Sequence, residues 1–161
     1  VELGLTLSKA LISDGNGLQA IAILEQIAAL APSDWRVPAT LGLAYDQTGR
    51  HGPAQRAYMQ AMGQRPGEVS VVSNLGLSFL IAGDPVQAEH WLRRAAALPG
   101  ADARVRQNLS LALSLQGKFE EAEKVALQDL TADMARSNVG YVRAMLAPQR
   151  RWDTLRGPVQ D

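Results

Sequence analysis

An all-α, right-handed α-solenoid of four stacked helical hairpins, closed by a C-terminal capping helix, is the fold this sequence predicts. Three columns of identical residues predict it. Gly15, Gly49, Gly83 and Gly117 follow one another at intervals of 34 residues. So do Ala20, Ala54, Ala88 and Ala122, and so do Leu7, Leu41, Leu75 and Leu109. A fixed period of that length marks helix–turn–helix units that bury their apolar faces only by stacking on neighbours. The expected organisation is one domain over residues 1–147, with units 1–34, 35–68, 69–102 and 103–131, a capping helix 132–147 and a tail 148–161.

Each element follows from its residues. In the second unit, Leu41, Gly42 and Tyr45 share one face of a first helix, and Gly49 ends it, because glycine enters the left-handed backbone region without a Cβ penalty. Ala54, Tyr58 and Ala61 then recur at i, i+4 and i+7, the stripe of a second amphipathic helix, and Pro66 closes the unit. The third unit repeats this with Leu75, Gly76, Phe79, Gly83, Ala88, Leu92 and Ala95, and ends at Pro99. Gly42 and Gly76 fall inside helices, where glycine costs roughly 1 kcal/mol against alanine. That cost predicts a close helix–helix approach at this column, which Ser8 and Ser110 continue in the outer units. The first unit keeps only Leu7, Leu11, Gly15, Ala20, Leu24 and Pro32 in register. In the fourth, Ala126 stands where a large residue is expected, and no proline closes the unit.

After Leu130 the register breaks. Thr131 is predicted to cap a helix over 132–147, with Met134, Asn138, Tyr141 and Met145 on one face and Val139, Val142 and Leu146 beside them. This helix is expected to cover the last hairpin, with Tyr141 and Arg143 at one end of any groove. Pro148 is expected to end it, and the basic–aromatic tail Gln149-Arg150-Arg151-Trp152 is expected to lie outside the repeat core.

Composition narrows the function. Sixteen Lys and Arg balance sixteen Asp and Glu, whereas a nucleic-acid or anionic-membrane partner would demand a basic excess. Residues 1–34 carry one Lys against four acids, and 137–161 carry four Arg against two, a mild gradient. With no cysteine, thiolate metal sites, disulfides and cysteine nucleophiles are excluded. His51 and His90 stand in different units without a partner at metal-ligand spacing; packing is expected for His51 and solvent for His90. Glu120, Glu121 and Glu123 open a helix, where negative charge favours the N-terminus. No glycine-rich phosphate loop or nucleophile elbow appears, and no apolar run is long enough for a membrane span. We therefore expect no cofactor and no catalysis by this chain alone. Val1-Glu2-Leu3-Gly4 opens inside the first unit, as in a mature or trimmed chain.

The pattern Leu-Gly, aromatic, Gly, Ala, aromatic, Ala, Pro over residues 35–68 resembles the tetratricopeptide repeat, a family of helical-hairpin interaction modules. The resemblance implies a concave face lined by first helices at fixed repeat positions. Those positions carry Leu43, Leu77 and Leu111 in one row and Thr40, Asn74 and Asn108 in another. Beside them come Arg36, Ser70 and Arg104, then Ala39, Ser73 and Gln107, with Tyr141 at the end. A leucine row beside a row of amides suits a protein or peptide segment, since Asn can pair with a backbone amide in either direction. Burying a Leu-sized side chain is worth roughly 1.5–3 kcal/mol, so two or three anchors would support micromolar binding. Asn74, Arg104 and Asn108 also resemble part of the two-carboxylate clamp of chaperone-binding members, but Ala39 and Leu43 occupy its first two positions and cannot hold a carboxylate.

A second resemblance covers roughly residues 70–147. Ser73-Asn74-Leu75-Gly76-Leu77-Ser78, the stretch from Ala101 to Leu111, Leu115-Gln116-Gly117-Lys118-Phe119-Glu120-Glu121-Ala122-Glu123 and the stretch from Asn138 to Leu146 are similar to TadD-type proteins of bacterial tight-adherence (Flp) pili. This implies a periplasmic or outer-membrane-associated protein that assists secretin and pilus assembly, with secretin or another pilus-machinery subunit as partner. The alternatives are a cytoplasmic scaffold of another complex, the recognition part of a larger enzyme, or an oligomer formed by self-assembly through an unfilled groove end.

Overall fold

The computed structural model describes residues 1–147. Among them, nine helices and no strand are found: α1 (Glu2–Ser13), α2 (Gly17–Leu30), α3 (Arg36–Gln47), α4 (His51–Gln64), α5 (Val69–Ile81), α6 (Pro85–Ala96), α7 (Ala103–Leu115), α8 (Phe119–Ala126) and α9 (Ala132–Leu146). They pair as four hairpins, α1–α2 to α7–α8, and α9 follows. Each first helix packs on its own second helix, and α3, α5 and α7 pack also on the second helix of the preceding hairpin.

The turns are made where the glycine column stands. Gly49 has φ of 73°, in the left-handed region, and Gly15, Gly83 and Gly117 adopt the same conformation. Helix starts use side-chain caps where the sequence supplies them: Asp84 accepts from the Gln87 N–H, Asp102 from Val105 and Thr131 from Met134. Thr131 is therefore the cap expected of it. Pro85 at the first position of α6 has the φ a helix start needs.

The core runs as a strip between layers. Ala54, Tyr58 and Ala61 of α4 meet Val71 and Leu75 of α5 in one cluster, and Ala20, Ile21, Leu24 and Ile27 of α2 meet Val37 and Ala44 of α3 in another. Small residues let the helices of a hairpin close up. A Cβ on Gly42 would lie 2.4 Å from the Tyr58 ring, and one on Gly76 would lie 2.7 Å from Leu92 Cγ. Ser110 fills the same column and donates its hydroxyl to the Ala122 carbonyl at 2.9 Å.

Two positions depart from the pattern. Leu7 is 49% exposed although Leu75 and Leu109 of its column are buried, because that column faces a preceding hairpin and α1 has none packed on it. Helix α8 has only eight residues: with Ala126 where Tyr58 and Leu92 stand, it stops early and the chain turns at once into α9. There Ala135 and Val139 are buried against the last hairpin, while Met134, Tyr141 and Met145 face outward. Val139 follows Val37, Val71 and Val105 at the 34-residue period and is buried as they are. Pro148 and the Arg150–Trp152 tail lie outside the described residues.

Candidate functional site

Helices α5 and α7 line a concavity of about 490 Å³, bordered by Ser70, Ser73, Asn74 and Leu77 on one side and Arg104, Val105 and Asn108 on the other. Five of the residues expected in a partner groove, Ser73, Asn74, Leu77, Arg104 and Asn108, are thus brought together. Asn74 and Asn108 are half-buried, with their amides on equivalent turns of adjacent first helices. Leu77 is half-buried and also packs against the cluster built on Leu80, Leu92 and Leu113. Ser73 is nearly covered.

Gln107, Leu111 and Tyr141 belong to a second concavity of about 450 Å³ between α7, α8 and α9, completed by Ser114, Leu130, Asn138 and Val142. Tyr141 is 71% exposed at its rim.

The three residues expected from α3 join neither concavity. Thr40 is 2% exposed, and its hydroxyl donates to the Arg36 carbonyl at 2.7 Å, so it offers neither surface nor a free hydrogen bond; here the expectation fails. Repeat position predicts which way a side chain leaves the helix, but a threonine hydroxyl is satisfied by its own preceding turn. Arg36 is engaged. Its guanidinium donates to Asp34 at 2.7 Å and to Glu2 at 2.7 Å, and Asp34 first, then Glu2, raises its pKa above the ordinary arginine value. Leu43 stands half open on α3, apart from Leu77 and Leu111.

Sequence reasoning overlooked the acids of the α5–α7 groove. Asp34, Glu68 and Asp102 form a further 34-residue column immediately before the first helices, and that column is the signal that would have found them. Each lies two residues before the groove-edge residues Arg36, Ser70 and Arg104. Asp34 and Asp102 are bound to those arginines. The backbone N–H of Val105 first, and Arg104 second, hold the Asp102 carboxyl below its ordinary range. Glu68 has Ser70 instead of an arginine, and among the described residues its carboxylate accepts the Ser70 hydroxyl at 2.9 Å. Glu68 therefore brings to the groove edge a carboxylate that has no ion-pair partner among the described residues.

A polar cluster inside the solenoid also escaped notice. Asp46 accepts from Ser78 Oγ at 2.7 Å and Tyr58 Oη at 3.1 Å, and lies 2.8 Å from His51 Nδ1. It ties α3 and α4 to α5. Burial first, then the Asp46 carboxylate, pushes the Tyr58 pKa above the usual tyrosine range. His51 packs, as expected, but through this carboxylate. Ser78 is fully buried and bound to Asp46 rather than to the imidazole, so the cluster holds hairpins together and presents no nucleophile.

Residues 39–67 match the family model of the tetratricopeptide repeat. A curated relative, the uncharacterized protein y4yS of Sinorhizobium fredii (strain NBRC 101917 / NGR234), is 29% identical over 87 residues, covering 54% of this chain. The chain spans about half the length of that protein, 48%. Among solved structures, MamA aligns with a TM-score of 0.72 at 21% identity over 87% of this chain and 80% of its own. YrrB, a tetratricopeptide protein with an unusual peptide-binding site, aligns with a TM-score of 0.68 at 20% identity over 92% and 78%. The O-GlcNAc transferase of Thermobaculum terrenum aligns at 0.72 with 22% identity, over 79% of this chain but 25% of the enzyme. The chain thus has the fold of the tetratricopeptide solenoids, with the repeat itself carried by residues 39–67.

Proposed function

We propose that this chain is a protein-interaction scaffold that holds an extended segment of a partner protein in the groove between α5 and α7. The observation that carries the reading is the convergence on one concavity of two half-buried amides, one apolar side chain and a carboxylate without an ion-pair partner among the described residues. Asn74 and Asn108 offer donor and acceptor to the partner backbone, Leu77 offers an apolar contact, and Glu68 favours a Lys or Arg in the partner. YrrB, of the same fold, has an unusual peptide-binding site, which agrees with a peptide as ligand here. The continuation of the concave face past Leu111 to Tyr141 would hold a further part of the same segment.

The finer reading places this scaffold in assembly of a secretin and pilus in a tight-adherence system, at the periplasmic or outer-membrane side. It rests on the similarity of residues 70–147 to TadD-type proteins. The test is cross-linked capture from source-cell envelopes with the parent chain and an Asn74→Ala/Asn108→Ala variant. Recovery of secretin or pilus-machinery subunits by the parent, and their loss in the variant, supports both parts. Equal recovery removes the groove. Loss of an unrelated cytoplasmic complex in the variant keeps the groove and removes the pilus.

A further inference from the structure

The row of acid–arginine pairs along the groove edge lacks one arginine. Arg36, Ser70 and Arg104 stand at the same repeat position, each two residues after an acid, Asp34, Glu68 or Asp102. Arg36 forks onto Asp34, donating from Nε at 2.9 Å and from Nη2 at 2.7 Å, while its Nη1 reaches Glu2 at 2.7 Å. Arg104 donates from Nε to Asp102 at 3.0 Å. In the unit between them the acid is kept and the arginine is replaced by Ser70. The Ser70 hydroxyl donates one hydrogen bond to Glu68 Oε1, whereas a carboxylate can accept about four. Glu68 is half-buried and lines the α5–α7 concavity, and that further capacity is unused among the described residues.

Two further observations point to a cationic donor here. The row sets the carboxylates of Glu2, Asp34, Glu68 and Asp102 against the guanidiniums of Arg36 and Arg104 alone, so this edge is anionic. Ser73 lines the same concavity and is only 9% exposed, and its hydroxyl has no hydrogen-bond partner among the described residues. It is therefore available to accept from a donor that enters the groove. The flanking pairs also say which cation fits. A guanidinium meets both oxygens of one carboxylate with its planar fork, as Arg36 does on Asp34, and an ammonium has no fork. Arg36 and Arg104 are each bound to acids of their own, which blunts their repulsion of a third guanidinium between them.

We propose that Glu68 and Ser70 form a socket for an arginine side chain of the partner segment. The arginine lies over Ser70 and forks onto Glu68, completing the row between Arg36 and Arg104. The proposal rests on the α5–α7 groove as the partner site and adds the side chain that anchors the segment there.

The probes are peptides selected on the intact chain from a random phage-displayed library. Those that shift amides of residues 68–77 and 102–108 in heteronuclear NMR spectra are labelled with fluorescein for anisotropy. An arginine is expected at one fixed place among them. Exchanging it for glutamine should weaken binding to the parent about fivefold, with lysine in between. On a Glu68→Gln chain the arginine and glutamine peptides should bind alike, because the acceptor is gone. Ser70→Arg supplies the guanidinium within the chain, as Arg36 and Arg104 do, and should also remove the preference for arginine. Ser70 is exposed, so this variant should fold, which circular dichroism checks. Groove-bound peptides with no fixed arginine, or the same arginine preference on the parent and the Glu68→Gln chain, overturn the proposal and leave the groove reading standing. A library that yields no peptide bound at these amides removes both. Tighter binding of the arginine peptide to an Arg150→Gln/Arg151→Gln/Arg156→Gln chain also overturns the proposal, because the occupant would then be the chain's own tail.

Discussion

Replacing Gly42 by alanine should destabilise the protein, while the same replacement at Gly140 should stabilise it. Both glycines lie inside helices, so each gains roughly 1 kcal/mol of helix propensity as alanine. They differ in what the new methyl meets. At Gly42, three atoms of the Tyr58 ring lie within 2.4–2.6 Å of the added Cβ. That ring cannot swing aside cheaply, because it is 1% exposed and its hydroxyl is held by Asp46 at 3.1 Å. Overpacking of this kind costs about 1–3 kcal/mol, and the fixed ring puts Gly42 at the upper end. After the propensity gain, a net loss of about 1–2 kcal/mol remains. At Gly140 no heavy atom of the described residues lies within 4 Å of the added Cβ, so the full gain of up to about 1 kcal/mol should survive. Urea unfolding followed by circular dichroism measures both. With a slope of about 2 kcal/mol/M, the Gly42→Ala midpoint should fall by about 0.5–1 M and the Gly140→Ala midpoint should rise by up to about 0.5 M. A Gly42→Ala midpoint at or above that of the parent would refute the close-approach explanation of the small-residue column.

Three further outcomes follow from other contacts. Asp46→Ala strands the buried Tyr58 and Ser78 hydroxyls and should cost about 2–4 kcal/mol in urea unfolding, with Asp46→Asn closer to the parent. Glu89 receives Lys118 at 2.6 Å, Gln116 at 2.7 Å and Arg93 at 2.8 Å; burial raises its pKa, but these donors win and bring it to about 2 from 4.5. Since the folded value lies below the unfolded one, its stabilisation is fully present above about pH 4.5 and lost as pH falls towards 2. Thermal melts of the parent should therefore drop more steeply over that window than those of Glu89→Gln. Asn74→Ala and Asn108→Ala, half-buried in the groove and without a side-chain hydrogen bond among the described residues, should each change stability by less than about 1 kcal/mol. Unaltered unfolding midpoints would make them suitable binding variants.

The repeat architecture was legible because its physical demands recur. Glycine at each turn, alanine at each closest approach and leucine at each interface leave columns at one spacing, and the structure puts them where those demands place them. Val139 shows that more was readable: it continues the valine column of Val37, Val71 and Val105 and is buried like them. The groove was less legible for a physical reason. Repeat position specifies the side of the helix, but not whether a side chain is already engaged there. Thr40 bonds to its own helix, and Arg36 is bound to Asp34 and Glu2, although both occupy groove positions. Ion pairs and polar clusters that occur at one junction, such as Asp46 with His51, Tyr58 and Ser78, leave no period to detect. Positions equivalent to Asp46 and Ser78 hold Leu80 and Ala112 in the next unit, so the network belongs to one junction.

The central claim is that the α5–α7 groove holds a partner segment, and amide mapping by heteronuclear NMR tests it most directly. A peptide selected against the parent chain from a random library would be titrated into isotopically labelled protein. The account predicts shifts concentrated in residues 68–77 and 102–111, and affinity at least tenfold weaker with Asn74→Ala/Asn108→Ala. Shifts confined to the outer faces of α4 and α6, with affinity unchanged in that variant, would contradict it.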